Sequence, residues 1–223
     1  MERSFNDRAK VVRDALDKYE GGGDYDALYA FANRPGITLQ GADAFAETKI
    51  TGMTVDQIRE FSQGKNAYGQ WVKRHNIVTQ PDGSKRNVLS TPMGRYQFVG
   101  TTFRDIMKRM PFDGGIGVPG DTLFDQTLQD QMFEFYIAER LGRATTMKEK
   151  RAAMRGAWDG LNRKKMKDGS MRGPTNLELN AIIKQFECSA QPLELAKEEL
   201  DEDFTSPATS AEAVEMLDRK SVV

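Results

Sequence analysis

A chain of 223 residues is long enough to bury one sizeable core and to carry an appendage. Its 39% hydrophobic and 29% charged residues, with a mean hydropathy of −0.61, are typical of a globular protein. No run approaches the roughly 18 consecutive apolar residues of a membrane span, so no membrane association is expected. The charged first twenty residues argue against a secretory signal peptide, and the single cysteine, Cys188, excludes a disulfide within this sequence.

The net charge of −1 conceals a division of charge along the chain. Residues 189–223 contain nine acids and three bases, a net charge of −6, so residues 1–188 carry +5. We therefore expect two parts, a body over 1–188 and an acidic C-terminal tail over 189–223. A basic body favours an anionic partner, whereas the tail is expected to dock to another protein or to be flexible and solvated.

The spacing of apolar and turn-forming residues predicts a mostly helical α+β domain with one β-hairpin. In the first half, a helix is predicted over 7–20, stopped by Gly21, and a short helix is predicted that is capped by Thr54 and Gln57 and ends near Gln63. A hairpin is predicted that pairs 77–79 with 87–89 around Pro81-Asp82-Gly83. A further helix should run from about Thr102 until Pro111 stops it.

The second half should contain the central helix, because residues 128–137 are apolar over more than one face. The remaining predictions are a glycine-rich loop over 112–121, an end of the central helix at Gly142, a basic helix over 147–166, a last body helix capped by Asn176, and two short tail helices at about 193–202 and 211–220.

Glu20 is the first candidate for chemistry, since it ends a predicted helix and is followed by three glycines. The negative end of the helix dipole disfavours a carboxylate charge, so we expect a raised pKa for Glu20. A carboxyl that keeps its proton near neutral pH can act as a general acid. The alternative is that Glu20 is an ordinary solvated surface acid.

Glycoside hydrolysis usually takes two carboxylates, and Asp24 and Asp26 are the nearest candidates for the second. Either could position a water molecule. Alternatively, one or both cap the segment that follows, residues 25–32. A hydroxyl of the substrate could also replace water, which leaves Glu20 as the only carboxylate required.

A second candidate site is the turn in Ser-Thr-Pro-Met-Gly-Arg-Tyr-Gln-Phe at residues 90–98. An aromatic ring can pack on a pyranose face, and an amide can bind hydroxyl or acetamido groups. Ser90, Gly94, Tyr96 and Gln97 are therefore candidate sugar-binding residues, whereas Arg95 is expected to be structural. The alternative for Tyr96 is a place in the core.

These segments resemble elements of the phage lysozyme-like muramidases and lytic transglycosylases. Tyr-Glu-Gly-Gly-Gly-Asp-Tyr-Asp-Ala-Leu at 19–28 is similar to their Glu-Ser-Gly-Gly-Asn-Tyr-Asn element, and residues 90–98 are similar to their Ser-Ser-Ala-Ala-Gly-Arg-Tyr-Gln-Phe turn. Three further segments resemble elements of these enzymes in the same order along the chain. Residues 50–57 resemble their pre-loop helix, and residues 123–131 resemble the Phe-x-x-x-x-Gln-Asp element of lambda-type endolysins. Residues 157–161 resemble a tryptophan-containing segment late in that fold. The sequence also departs from the family pattern. Gly21 replaces the usual serine, and Pro92-Met93 replaces Ala-Ala. Residues 64–89 and 112–121 are long insertions relative to the family.

The resemblance covers residues 8–188 and implies a lysozyme-like fold, with a cleft between a helical lobe and a small β-hairpin lobe. It implies cleavage of the β-1,4 bond between N-acetylmuramic acid and N-acetylglucosamine in bacterial peptidoglycan, with Glu20 as the catalytic acid and no cofactor. A lytic transglycosylase is favoured over a hydrolase, because the sequence offers no obvious partner carboxylate.

Two locations follow from the resemblance. The acidic tail favours a phage particle, in which the tail binds other virion proteins and the body acts in the host periplasm; the alternative is a free endolysin in the host cytoplasm before lysis. A different class of function is a virion structural or ejection protein that carries a lysozyme-like module with little or no activity.

A basic stretch over 143–172 carries ten bases and three acids. A solvated helix face is the favoured interpretation of this stretch, and the functional alternatives are attraction to an anionic cell wall and, second, binding of nucleic acid. One histidine, His75, and one cysteine offer no metal-binding cluster, so no metal is expected.

Overall fold

The computed structural model describes residues 6–20, 23–37, 39–80, 82–166 and 168–188. Within them the chain is α+β and mostly helical, as predicted. The helices are α1 (Asn6–Glu20), α2 (Val55–Phe61), α3 (Ala67–His75), α4 (Gly100–Arg109), α5 (Gln126–Gly142), α6 (Met147–Ala157) and α7 (Asn176–Cys188). The strands are β1 (Ile77–Thr79), β2 (Lys85–Asn87), β3 (Pro92–Met93), β4 (Phe98–Val99), β5 (Pro111–Phe112), β6 (Gly115–Ile116), β7 (Lys164–Lys165) and β8 (Met171–Arg172).

The prediction of one hairpin is wrong, because the described strands form four separate antiparallel hairpins, each of two neighbouring strands: β1 with β2, β3 with β4, β5 with β6, and β7 with β8. Sheets this small cannot bury a core by themselves, so the helices supply most of the apolar packing. The hairpin at 77–79 is confirmed, but Ile77 pairs with Asn87 and the second strand is 85–87 rather than 87–89.

The central helix of the core is α5, as its wide apolar surface predicted. Buried side chains lie on more than one of its faces, among them Leu128, Met132, Phe133, Ile137 and Leu141. The first helix packs against α7 and α5, and α6 packs against α5 and α7. These helices share one apolar cluster that begins at Val12 in α1 and reaches Phe186 in α7.

Two predicted helix boundaries are confirmed in detail. Helix α1 ends at Glu20. Helix α2 begins with the predicted capping box, in which the Thr54 hydroxyl accepts the Gln57 N–H and the Gln57 side chain accepts the Thr54 N–H. Its last residue is Phe61, two residues before the predicted end near Gln63.

Helix α3 was not predicted, because residues 64–76 are rich in Gly, Asn and charged residues. Its buried side chains, Tyr68, Trp71 and Val72, nevertheless have helical spacing. Two large aromatic residues therefore attach this insert to the core.

The basic helix predicted over 147–166 is too long. Helix α6 ends at Ala157, Trp158 is extended, and residues 164–165 pair with 171–172 as the β7–β8 hairpin. The predicted cap of α7 is also displaced by one residue, because Thr175 rather than Asn176 exchanges capping hydrogen bonds with Glu178. Inside the predicted loop 112–121 lies the short β5–β6 hairpin.

None of the helices in the described part of the chain combines the length and apolar character needed to cross a bilayer. The tail over 189–223, with its two predicted helices, lies outside the described residues.

Candidate functional site

The last turn of α1 is held by two arginines from distant parts of the chain. Glu20 is its last residue, and the side chain of Glu20, like Gly21 and Gly22, lies outside the described residues. One turn earlier, the Asp17 carboxylate pairs with the Arg95 guanidinium. Arg172 Nη2 donates a hydrogen bond of 2.7 Å to the Tyr19 carbonyl oxygen. Helix ends lack intrahelical donors for their last carbonyls, so Arg172 supplies one of them.

Asp24 and Asp26 shape the segment that follows α1. Asp24 accepts the Asp26 N–H at 2.9 Å through Oδ1 and pairs with Arg34 at 3.0 Å through Oδ2. Asp26 Oδ1 accepts the Thr51 N–H at 2.8 Å. The contact of Asp24 with the Asp26 N–H is of the kind expected if Asp24 caps residues 25–32, whereas Asp26 accepts from Thr51, which lies outside that segment.

The β3–β4 turn lies directly against this segment. The Gly94 N–H donates to the Ala27 carbonyl at 2.8 Å, and Leu28 forms an antiparallel bridge with Met93. Gln97 Nε2 donates to the Gly94 carbonyl at 2.8 Å, and its backbone φ is +51°. Side-chain-bearing residues rarely adopt this conformation, and strained residues are enriched at functional sites.

Gln129, in the first turn of α5, joins the two segments. Its Nε2 donates to the Tyr25 carbonyl at 3.0 Å and to the Phe124 carbonyl at 3.1 Å, while its Oε1 accepts the Arg95 N–H at 3.1 Å. The residue is 1% exposed. A buried amide whose donor and acceptor are both satisfied fixes the relative position of the groups it contacts.

Next to Gln129, the Asp130 carboxylate binds two tyrosine hydroxyls and one arginine guanidinium. It accepts from the Tyr96 hydroxyl at 2.5 Å and the Tyr25 hydroxyl at 2.9 Å, and it pairs with Arg13 of α1 at 3.3 Å. Burial, and then the hydrogen bond to Asp130, raise the pKa of Tyr96, so its hydroxyl remains a donor. Arg95 donates to the Tyr25 hydroxyl at 3.0 Å, which connects Asp17 to the same network.

Tyr96 is 2% exposed, and its ring stacks on Phe133 with centroids 3.9 Å apart. The ring therefore belongs to the core and has no open face for a pyranose in this structure. Gln97 is half-buried on the turn, and Ser90 precedes β3 without a hydrogen bond to the other candidates in the described part of the chain. The contacts of Arg95 agree with its expected structural role.

The other segments of the resemblance also meet here. Trp158 Nε1 donates to the Tyr96 carbonyl at 3.0 Å. The Val55 N–H donates to the Thr122 carbonyl at 2.8 Å, and the Phe124 N–H donates to the Met53 carbonyl at 2.8 Å. Segments 23–28, 50–57, 90–98, 123–131 and 157–161 thus form one connected junction at the end of α1.

Sequence reasoning did not include Gln129, Asp130 or Arg13 among the site residues. The signal for the first two was present, because the Gln-Asp pair is part of the 123–131 resemblance. Arg13 gave no signal, since its contact with Asp130 spans 117 positions of the chain.

A cavity of about 380 Å³ lies elsewhere, lined by residues of α4, α5 and α6. Arg109 and Arg143 both pair with Glu139, and Arg109 also pairs with Asp105, so two positive charges face two negative ones. Over the described residues, no group of three or more His, Cys, Asp or Glu side chains could hold a metal ion.

Comparison with protein-family models, with curated proteins and with solved structures gives no match to this chain.

Proposed function

We propose that this protein cleaves the β-1,4 glycosidic bond of bacterial peptidoglycan, with Glu20 as its general acid. The observation that carries the proposal is the junction around Gln129. Segments far apart in the chain, each of which resembles a lysozyme-like element, are hydrogen-bonded to one another beside the helix end that carries Glu20. The lysozyme-like architecture with a cleft is part of the same proposal.

Glu20 would donate its proton to the glycosidic oxygen while the bond from the muramic acid C1 to that oxygen breaks. The 6-hydroxyl of the same sugar then attacks C1, and its proton returns to Glu20, which gives a 1,6-anhydro end. Attack by water in place of the hydroxyl gives the hydrolytic product. One carboxylate serves both proton transfers.

The transglycosylase outcome is favoured by the contacts of the two neighbouring aspartates. Both oxygens of Asp24 have partners, and Asp26 holds the Thr51 backbone. Both aspartates are thus engaged in structural contacts, which favours a reaction that needs no second carboxylate. Among the proposed sugar-binding residues of the turn, Gln97 remains the candidate for contact with a sugar, because its side chain is only half-buried. Tyr96 instead positions the turn through its hydrogen bond to Asp130.

The test compares wild-type protein with Glu20→Gln on purified peptidoglycan. Removing a general acid lowers the rate by about 10²–10⁴-fold, so Glu20→Gln should be nearly inactive. Asp14→Asn, on the same helix and exposed in a pair with Lys10, is the matched control and should keep wild-type activity. Equal loss of turbidity with wild type and Glu20→Gln would refute the catalytic role.

Mass spectrometry of the products separates the two reactions, because a 1,6-anhydro end identifies a transglycosylase and a reducing end identifies a hydrolase.

The second candidate function is a virion structural or ejection protein, favoured by the acidic tail of charge −6. Purified phage particles that contain the chain would support a virion location, and a wild-type protein without any cleavage activity would favour the purely structural role.

A further inference from the structure

Residues 163–166 and 168–172, here called the basic hairpin, contain the β7–β8 pair and concentrate positive charge. They carry four bases, Arg163, Lys164, Lys165 and Arg172, and one acid, Asp168, a net charge of +3. Lys165, Met166 and Met171 are exposed, the two methionines at 41% and 50%. The hairpin therefore presents cations and flexible apolar side chains to solvent, a combination that suits an amphipathic anionic ligand.

The basic hairpin is attached to the helix end that carries Glu20. Arg172 of β8 donates to the Tyr19 carbonyl at 2.7 Å, one residue before Glu20. Lys164 lies directly opposite Arg172 in the strand pair, so the two cations share one face of the hairpin.

The hairpin itself is shaped by local contacts. Asp168 accepts from the Ser170 N–H at 2.9 Å and the Ser170 hydroxyl at 2.6 Å, so the one acid of the hairpin is used within its own turn. Gly173 has φ of +85°, and a Cβ there would lie 2.4 Å from the Asn162 carbonyl oxygen. Close backbone contact at this glycine fixes where the hairpin leaves the body.

We propose that the basic hairpin is a binding surface for the carboxylates of peptidoglycan, those of the peptide stems beside the glycan strand that enters the site at Glu20. The inference rests on the proposed function and adds a subsite to it. A carboxylate-bearing glycan is favoured over nucleic acid because the hairpin contains no aromatic residue on which bases could stack.

The experiment measures binding to purified sacculi by co-sedimentation, in a Glu20→Gln background so that no turnover interferes. The test variant is Arg163→Gln with Lys165→Gln. The matched control is Lys85→Gln with Arg86→Gln, which removes the same two charges from the exposed strand of another hairpin. Melting temperatures of both proteins check that they fold.

Loss of the two hairpin charges should weaken binding about fivefold at low salt, since exposed ion pairs each contribute a modest factor. The control should bind as its parent does. With sacculi whose carboxyls have been converted to amides, the test variant and the control should bind equally. Equal binding of test variant and control to native sacculi would overturn the proposal.

Two further outcomes are informative. A test variant that loses affinity for a DNA oligonucleotide while its binding to sacculi is unchanged would overturn the proposal in favour of nucleic acid. In the second outcome, wild-type protein cleaves no peptidoglycan, but the test variant still loses affinity for native sacculi and not for amidated sacculi. The glycosidase proposal then fails, and the assignment of the binding surface stands.

Discussion

At the scale of single residues, the junction depends on the close approach of Gly94 to Gln129. The φ of Gly94 is +73°, and a Cβ built there would lie 2.2 Å from Gln129 Oε1 and 3.5 Å from the Tyr25 carbonyl oxygen. Glycine is needed at this position for two reasons: the left-handed backbone and the absence of space.

We therefore expect Gly94→Ala to lower the free energy of unfolding by about 3 kcal/mol. Left-handed strain accounts for about 1–2 kcal/mol of this, and displacement of the buried Gln129 amide for the remainder. Urea unfolding measures the loss, and cleavage of peptidoglycan should fall with it, because the turn moves relative to α1.

The matched control for this prediction is Gly114→Ala. Gly114 has a similar φ of +78°, but a Cβ there would meet no atom within 4 Å. It should cost only the backbone strain, about 1–2 kcal/mol. Equal losses in the two variants would show that the contact with Gln129 carries no weight.

At the scale of elements, an ion pair joins the end of α4 to the central helix α5. Arg109, the last residue of α4, pairs with Glu139 of α5 and with Asp105 of its own helix. Hydrogen bonding from Arg109 lowers the pKa of Glu139, and the charge of Arg109 adds to the effect. A carboxyl whose pKa is lower in the folded state stabilises the fold above its unfolded-state pKa, and this stabilisation is lost as the pH falls through the folded-state pKa.

Glu139→Gln should therefore be less stable than wild type at pH 7, by about 1 kcal/mol for a pair that is partly solvated. The difference should shrink as the pH falls below about 4.3, the ordinary pKa of a glutamate, and vanish when Glu139 is protonated in the folded protein. Thermal unfolding at a series of pH values measures it.

Asp43→Asn is the control for this pH series, since Asp43 is exposed and makes no ion pair with another described residue. Its difference from wild type should stay small at every pH. A gap between Glu139→Gln and wild type that stays constant down to pH 3 would contradict the role of the Arg109 pair.

At the scale of the whole molecule, charge is divided between the body and the tail. Every residue of the apolar cluster formed by the described residues, from Val12 to Phe186, lies in the body. A chain that ends after Cys188 keeps all of them, so its melting temperature should shift by no more than about 2 °C. The same truncation changes the net charge from −1 to +5, the difference being the −6 of residues 189–223.

The truncated protein should bind anionic sacculi several-fold more tightly than the full chain at low salt, because the repulsion from nine acids is removed. Salt screens this repulsion, so the advantage should disappear at high ionic strength. Co-sedimentation of the two proteins across a salt series measures the effect. Weaker or unchanged binding after truncation would indicate that the tail itself contacts the wall.

Local signals sufficed for much of the fold. Helix α1, the capping box of α2 and the central place of α5 follow from apolar spacing and caps, which act within a few residues. The same rules missed α3, whose apolar residues are few, and they extended α6 into a segment that forms a hairpin. Both errors arise where long-range contacts outweigh local preference: Trp71 of α3 packs against Phe45, and Trp158, directly after α6, donates a hydrogen bond to the Tyr96 carbonyl.

The sequence by itself determined the helical class, the division of charge and the candidate residues Glu20 and 90–98, because these depend on residue type and spacing along one stretch. Only the tertiary structure decided that Tyr96 is a core residue, that Gln129 and Asp130 join the segments, and that Arg172 reaches the end of α1. Those contacts connect residues 34 to 153 positions apart, and such distances are set by the packing of the whole chain rather than by any local pattern.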